Sequence, residues 1–226
     1  MKKTEFATKL REAGPTSRLI RKVTMKMQLD EIEGFVATVE RGFKSQLKVA
    51  EQMWKRQPKG LSNDELEEYF SKLSQECFSL DSAFPTLVRQ TSFIYVYSVL
   101  EKALMFLCEC AHKHGNLPEA PKDQKGKGIK KANSYLKKVG GVKPLEGRDW
   151  SELCLLGELR NRFVHSVSRK PLEPALEAYI KRNKALFKIG LSGQIILREA
   201  FCTHAIELVR RFYADVLKAI PDKLLE

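Results

Sequence analysis

Residues 91–111, TSFIYVYSVLEKALMFLCECA, limit what this chain can fold into more than any other stretch. The run approaches a membrane span in length, yet Glu101, Lys102 and Glu109 interrupt it, and a charge at the centre of a span costs roughly 2.5–3.5 kcal/mol. The better solution is a helix buried in a globular core, against which the other amphipathic segments pack. Glu101 then becomes a problem, because a carboxylate isolated in the most apolar helix needs a cation from elsewhere.

The remaining segments supply the packing partners. Residues 18–57 carry Ile32, Phe35, Val36, Val39, Phe43, Leu47, Ala50 and Trp54 at helical spacing, which predicts one long helix or two, stopped by QPKG. SNDELEEYF opens a second helix. Ser62 or Asn63 caps it, Asp64, Glu65 and Glu67 suit its positive end, and it fades near Ser79–Ser82. The apolar helix follows Pro85, runs to His112–His114 and is closed by Gly115. A short helical piece is expected at 128–139, a helix opened by an Asp149/Glu152 capping box and running to about Arg169, and a short helix at 174–184. Alternation of Phe187, Ile189 and Leu191 with Ile195 and Leu197 around Ser192-Gly193 predicts a small hairpin. The last helix spans about 199–219. The fold class is therefore mainly all-α, with an N-terminal helical extension over residues 1–57 and a helical domain over 58–226.

A net charge of +12 points to an anionic partner such as nucleic acid, although solubility alone would also account for it. Much of that charge is local: Lys122, Lys125, Lys127, Lys130, Lys131, Lys137, Lys138 and Lys143 lie in a Gly- and Pro-rich segment with Tyr135 inside it. Such a segment is either a solvated loop or a flexible flap that touches phosphates. Five cysteines form no C-x-x-C pair, and His112 and His114 stand two apart, a poor chelating spacing, so no metal, disulfide framework or cofactor is expected. His204 reads as a structural histidine. The Gly-x-Gly at 126–128 lacks a preceding strand and is not a nucleotide motif. The first residues, MKKTEFATKLREAGPTSR, lack the apolar core of a secretory signal, and the expected location is the cytoplasm.

The sharpest local anomaly is LGELRNRFVHS, residues 156–166. On a helical projection Leu153, Leu156, Phe163, Val164 and Val167 share an apolar arc, and Arg160 falls inside it. Asn161 and His165, four apart, share a neighbouring face. A guanidinium in an apolar face needs a carboxylate or a phosphate, and Glu101 has the converse need, so the two are expected to meet across the helix packing. A plain core salt bridge, with His165 merely at a helix end, would satisfy the same residues.

LRNRFVHS resembles the R-x-x-x-x-H signature of the HEPN superfamily (higher eukaryotes and prokaryotes nucleotide-binding), including the polar residue after the Arg. FPTLVRQTSFIYVYSVLEKALMFLCECA is similar to the long family helix that bears a Glu, GKGIKKANSYL to the connecting segment, and DWSELCLLGELRNRFVH to the motif helix with its leading Trp. The hairpin-and-helix tail at 186–219 is similar to that of some bacterial members. The resemblance covers about residues 60–219; the first 57 have no parallel.

The resemblance implies a HEPN-like bundle and a metal-independent endoribonuclease of toxin, abortive-infection or anti-phage defence type. It implies a homodimer in which two motif helices form one cleft, and an antitoxin protein or RNA as a further partner. His165 would move the 2′-OH and leaving-group protons, as general base and then general acid. Arg160 would clamp the phosphorane charge. Asn161 would hold the imidazole or a phosphate oxygen, Glu101 would support Arg160, and Lys122, Lys125, Lys127, Lys130, Lys131, Lys137, Lys138 and Arg162 would bind RNA. Members silenced by a nucleotidyltransferase carry Tyr two places after the His; Val167 stands there, so control by tyrosine adenylylation is not expected. The competing function is a non-catalytic RNA-binding or helical interaction module of a defence or toxin-antitoxin system.

Overall fold

A computed structural model describes residues 18–56, 58–138, 141–142, 145–165, 171–190 and 193–225. The chain is mainly helical, with one small antiparallel hairpin before its last helix. In order the elements are α1 (Arg18–Trp54), α2 (Asn63–Phe78), a π turn (Ser79–Ala83), α3 (Phe84–His114), α4 (Gly128–Lys138), α5 (Arg148–Val164), α6 (Pro174–Arg182), β1 (Phe187–Ile189), β2 (Ile195–Leu197) and α7 (Ala200–Ala219).

The apolar run is the central helix. Leu100, Leu104, Leu107, Cys108 and Ala111 of α3 are fully buried, and α1, α4, α5 and α7 all pack on it. No helix among the described residues is long and apolar enough to cross a membrane. α1 is one helix of 37 residues rather than two. Its buried Met25, Leu29, Ile32 and Val36 belong to the same apolar cluster as α3 and α7, so this N-terminal helix packs directly on the core.

Ser62 is the cap of α2. Its hydroxyl accepts from the Glu65 N–H at 3.4 Å, and its own N–H donates to Glu65 Oε2 at 2.7 Å, a full capping box. α2 does not fade before Pro85; the chain runs through the π turn straight into α3. Proline at 85 has no N–H and would press on the carbonyl four residues back, and the wider turn, in which the Phe84 N–H donates to Ser79 O, relieves both. Gly115 ends α3, but its φ of −80° is ordinary. Glycine is needed there because a Cβ would collide with Leu224 and the Ala111 carbonyl, and the left-handed residue is Asn116, φ 47°.

The hairpin pairs Phe187 with Leu197 and Ile189 with Ile195. Phe187 packs on Phe201, 5.2 Å between ring centres, and Phe201 on Phe93 of α3, 5.0 Å. This aromatic chain joins the hairpin and α7 to the central helix. Leu191 and Ser192 lie outside the described residues, as does Val167.

Within the basic segment, the helix expected at 128–139 forms over Gly128–Lys138. Residues 128–138 form an amphipathic helix whose Ile129, Ala132, Tyr135 and Leu136 are buried against α3, because four apolar residues at helical spacing outweigh the surrounding lysines. Tyr135 is fully buried and donates to Glu119 O at 2.8 Å, so it offers no stacking surface. The Asp149/Glu152 capping box is also absent. α5 starts after Gly147, and both carboxylates sit inside the helix and reach to other elements.

Candidate functional site

α5 is held from behind before it presents anything in front. Asp149 accepts from Arg211 of α7 at 3.1 Å. Glu152 Oε1 accepts from the Tyr179 hydroxyl of α6 at 2.5 Å and lies 2.6 Å from His204 Nε2 of α7. His204 is thus a satisfied structural histidine, and its partner Glu152 is one that sequence reasoning had placed in a cap. Trp150 stacks on Phe212, ring centres 5.8 Å apart.

On the inner side Leu153, Leu156 and Leu159 are buried, while Val164 is 42% exposed. The buried face is therefore turned toward Leu159 relative to the arc read from the sequence, and Arg160 comes to its rim rather than its centre. Close approach to α3 depends on Gly157. A Cβ there would collide with the Tyr97 hydroxyl and come within 3.0 Å of Tyr97 Cζ. The Tyr97 hydroxyl instead donates to Leu153 O at 3.2 Å, and its burial pushes the phenol far above its usual range. Gly157→Ala is expected to lower stability by about 1–2 kcal/mol, the overpacking cost exceeding the helix-propensity gain. Adding Tyr97→Phe removes the atom that clashes and should restore most of the loss in a double-mutant cycle read by urea unfolding.

Past Gly157 the two isolated charges meet. Arg160 Nη2 lies 3.7 Å from Glu101 Oε2, and Arg160 Nη1 donates to Asn161 Oδ1 at 3.0 Å. The Nε of Arg160 is buried without a hydrogen-bond partner among the described residues. Glu101 packs against Gly128 at the start of α4, where φ is +55° and a Cβ would strike the carboxylate. Burial pushes the Glu101 carboxyl above its usual range, with Arg160 opposing in part.

A group raised in this way disfavours folding once it ionises. Its full stability contribution is present below the ordinary glutamate range and is lost as pH rises through the raised value. The stability of the protein relative to a Glu101→Gln variant should therefore fall, read as Tm, as pH rises above the ordinary glutamate range. A Tm difference that stays constant with pH would contradict this.

His165 caps α5; its backbone N–H bonds Asn161 O at 3.0 Å and its side chain is exposed. Arg160, Asn161 and His165 from α5, Glu101 and Lys102 from α3, and Lys127 and Lys130 beside and within α4 line one open groove of about 780 Å³. The cations Arg160, Lys102, Lys127 and Lys130 face the carboxylates of Glu101 and Glu158, which leaves the groove positive.

Of the residues proposed from sequence to bind RNA, Lys127 and Lys130 are in this groove, Lys130 being 3.9 Å from Glu158. Lys122, Lys125, Lys131, Lys137, Lys138 and Arg162 do not line it. Lys131 donates to Lys122 O, Lys137 lies 3.9 Å from Glu146, and Arg162 donates to Pro171 O at 3.4 Å. Sequence reasoning missed Lys102 and the Gly126–Gly128 edge. The Gly-x-Gly set aside for want of a strand turns the chain, with φ of 111° and 55°, and lets α4 start against Glu101.

Among the described residues no three His, Cys, Asp or Glu side chains are placed to hold a metal ion. Cys108, Cys110 and Cys202 are buried thiols, and burial pushes Cys108 and Cys202 up to about 12. Cys154, half-buried, lines the groove. No family model matches the chain, and neither a curated protein nor a solved structure gives a match.

Proposed function

We propose that the protein is a metal-independent endoribonuclease of the HEPN type, acting as a toxin or anti-phage effector. The observation that carries the reading is the gathering of Arg160, Asn161 and His165 with Glu101, Lys127 and Lys130 along one positive groove. In this reading a phosphodiester enters the groove, His165 takes the 2′-OH proton, and that oxygen attacks phosphorus. Arg160 stabilises the charge on the phosphorane, and the 5′-oxygen leaves with a proton from a second His165, giving a 2′,3′-cyclic phosphate and a 5′-OH end. The second imidazole comes from a second copy across the α5 ends, where Val164 leaves an apolar side chain in water beside His165. An antitoxin protein or RNA would be the partner that restrains it.

One observation favours the binding-only alternative: the Arg160 guanidinium is already held by Glu101 and Asn161. Incubation with total RNA in EDTA separates the two. Cleavage with cyclic-phosphate ends supports the nuclease, whereas salt-sensitive binding without cleavage leaves a non-catalytic RNA-binding module.

A further inference from the structure

The exposed surface of α3 continues past the groove. At about 100° per residue Tyr95, Ser98, Lys102 and Phe106 fall in one stripe along the helix. Tyr95 is 55% and Phe106 48% exposed, although both belong to the most apolar helix of the chain. Beyond the stripe, away from Arg160, lies a second hollow of about 330 Å³ between α1 and α3, walled by Tyr95, Val99 and Phe106. The Arg21 guanidinium sits 4.8 Å over the Phe106 ring and steadies it from one side. Lys102 lines both hollows. A continuous surface therefore leads from the cationic groove over Lys102 to two exposed rings.

Alternating cations and aromatic faces suit a single nucleic-acid strand, whose phosphates follow the charge while its unstacked bases lie on the rings. A duplex keeps its bases stacked within itself and has none to give. We infer that Tyr95 and Phe106 are base-stacking platforms for single-stranded RNA, with Lys102 carrying a phosphate between them and the groove. This assigns base-stacking positions outside the cationic groove, and it rests on the nuclease reading only for which strand enters. Stacking itself is measurable without cleavage.

The test uses the full chain and a 2′-O-methyl RNA oligonucleotide containing 2-aminopurine, which lacks the attacking hydroxyl. Binding is read by anisotropy and stacking by fluorescence quenching. Tyr95→Ala and Phe106→Ala should each weaken single-strand binding about tenfold and reduce quenching, with an unchanged salt slope. Tyr95→Phe should retain both. Lys102→Ala should instead lower the salt slope by about 0.7. Duplex of the same sequence should bind more weakly than the single strand and be indifferent to loss of either ring.

Alanine variants that bind and quench like the wild type overturn the inference, as does a wild type that does not bind the oligonucleotide. So does sedimentation showing that they convert a dimer to monomers, which would make the stripe a seam between copies. Failure of the nuclease reading shows separately, as stacking without any cleavage of unmodified RNA in EDTA.

Discussion

His165→Ala is expected to lower RNA cleavage by about 10²–10⁴-fold while leaving the melting temperature close to that of the wild type. The first half follows from the role proposed for the imidazole: with no group to accept the 2′-OH proton, the attacking oxygen would stay a poor nucleophile. The second half follows from its place. The side chain is exposed at the C-cap of α5, and the bond that shapes the cap comes from the backbone N–H, which alanine keeps. Surface changes of this kind stay within about 0.5 kcal/mol. Gel-based cleavage in EDTA with thermal unfolding of both proteins checks the pair of outcomes. Retained cleavage would remove the catalytic role, and a large fall in Tm would make the histidine structural.

Glu40→Ala is expected to do the reverse, a large loss of stability from a residue with no place in the groove. Glu40 of α1 accepts from Arg89 Nε at 2.7 Å and Nη2 at 3.1 Å, and Arg89 Nη1 donates to Leu197 O of the hairpin at 3.1 Å. The two side chains are only 6% and 15% exposed. Removing the carboxylate strands a guanidinium among α1, α3 and β2, at a cost of about 3–5 kcal/mol. For a chain of this length that is a fall of roughly 10 °C in Tm. Replacing both partners by leucine should recover much of the loss, because no unpaired charge then remains. The nearby Lys44–Glu199 pair is the contrast. Both its side chains are more than half exposed, and Lys44→Ala should change stability by less than about 1 kcal/mol.

These two positions differ in how far sequence reasoning reaches. His165 stands out because, five residues after Arg160, it completes a local pattern that resembles the HEPN signature. The Glu101–Arg160 approach was also legible, since each charge was isolated in an otherwise apolar segment and the two needs were complementary. Glu40 and Arg89 carry no such mark: Glu40 lies in an amphipathic helix where charge is ordinary, and Arg89 in the first turns of α3, before the apolar run at 91–111 begins. Their pairing depends on the crossing of α1 over α3, which no spacing within either segment records.

The lysine-rich segment shows the same boundary from the other side. Its periodicity gave the helix at 128–138, but composition alone did not show that Ile129, Ala132, Tyr135 and Leu136 turn it so that, among the described residues of the segment, the lysines at the groove are Lys127 and Lys130. The capping box at Asp149 failed for a related reason. A carboxylate three residues before another fits a cap, but Arg211, His204 and Tyr179 from distant parts of the chain were stronger partners.

By itself the sequence determined the helical class, the central place of residues 91–111, the hairpin between Phe187 and Leu197, and the need of Arg160 and Glu101 for each other. These are consequences of apolar periodicity, turn chemistry and the cost of burying a lone charge, all of which act within or between single segments. Only the tertiary structure decided which face of α5 is buried, which two lysines of the basic segment stand at the groove, and that Lys102 lines both the groove and the hollow beside Tyr95 and Phe106. Those depend on the angles at which helices cross, set by close contacts such as Gly157 on Tyr97 and Gly128 on Glu101 that belong to pairs of residues far apart in the chain.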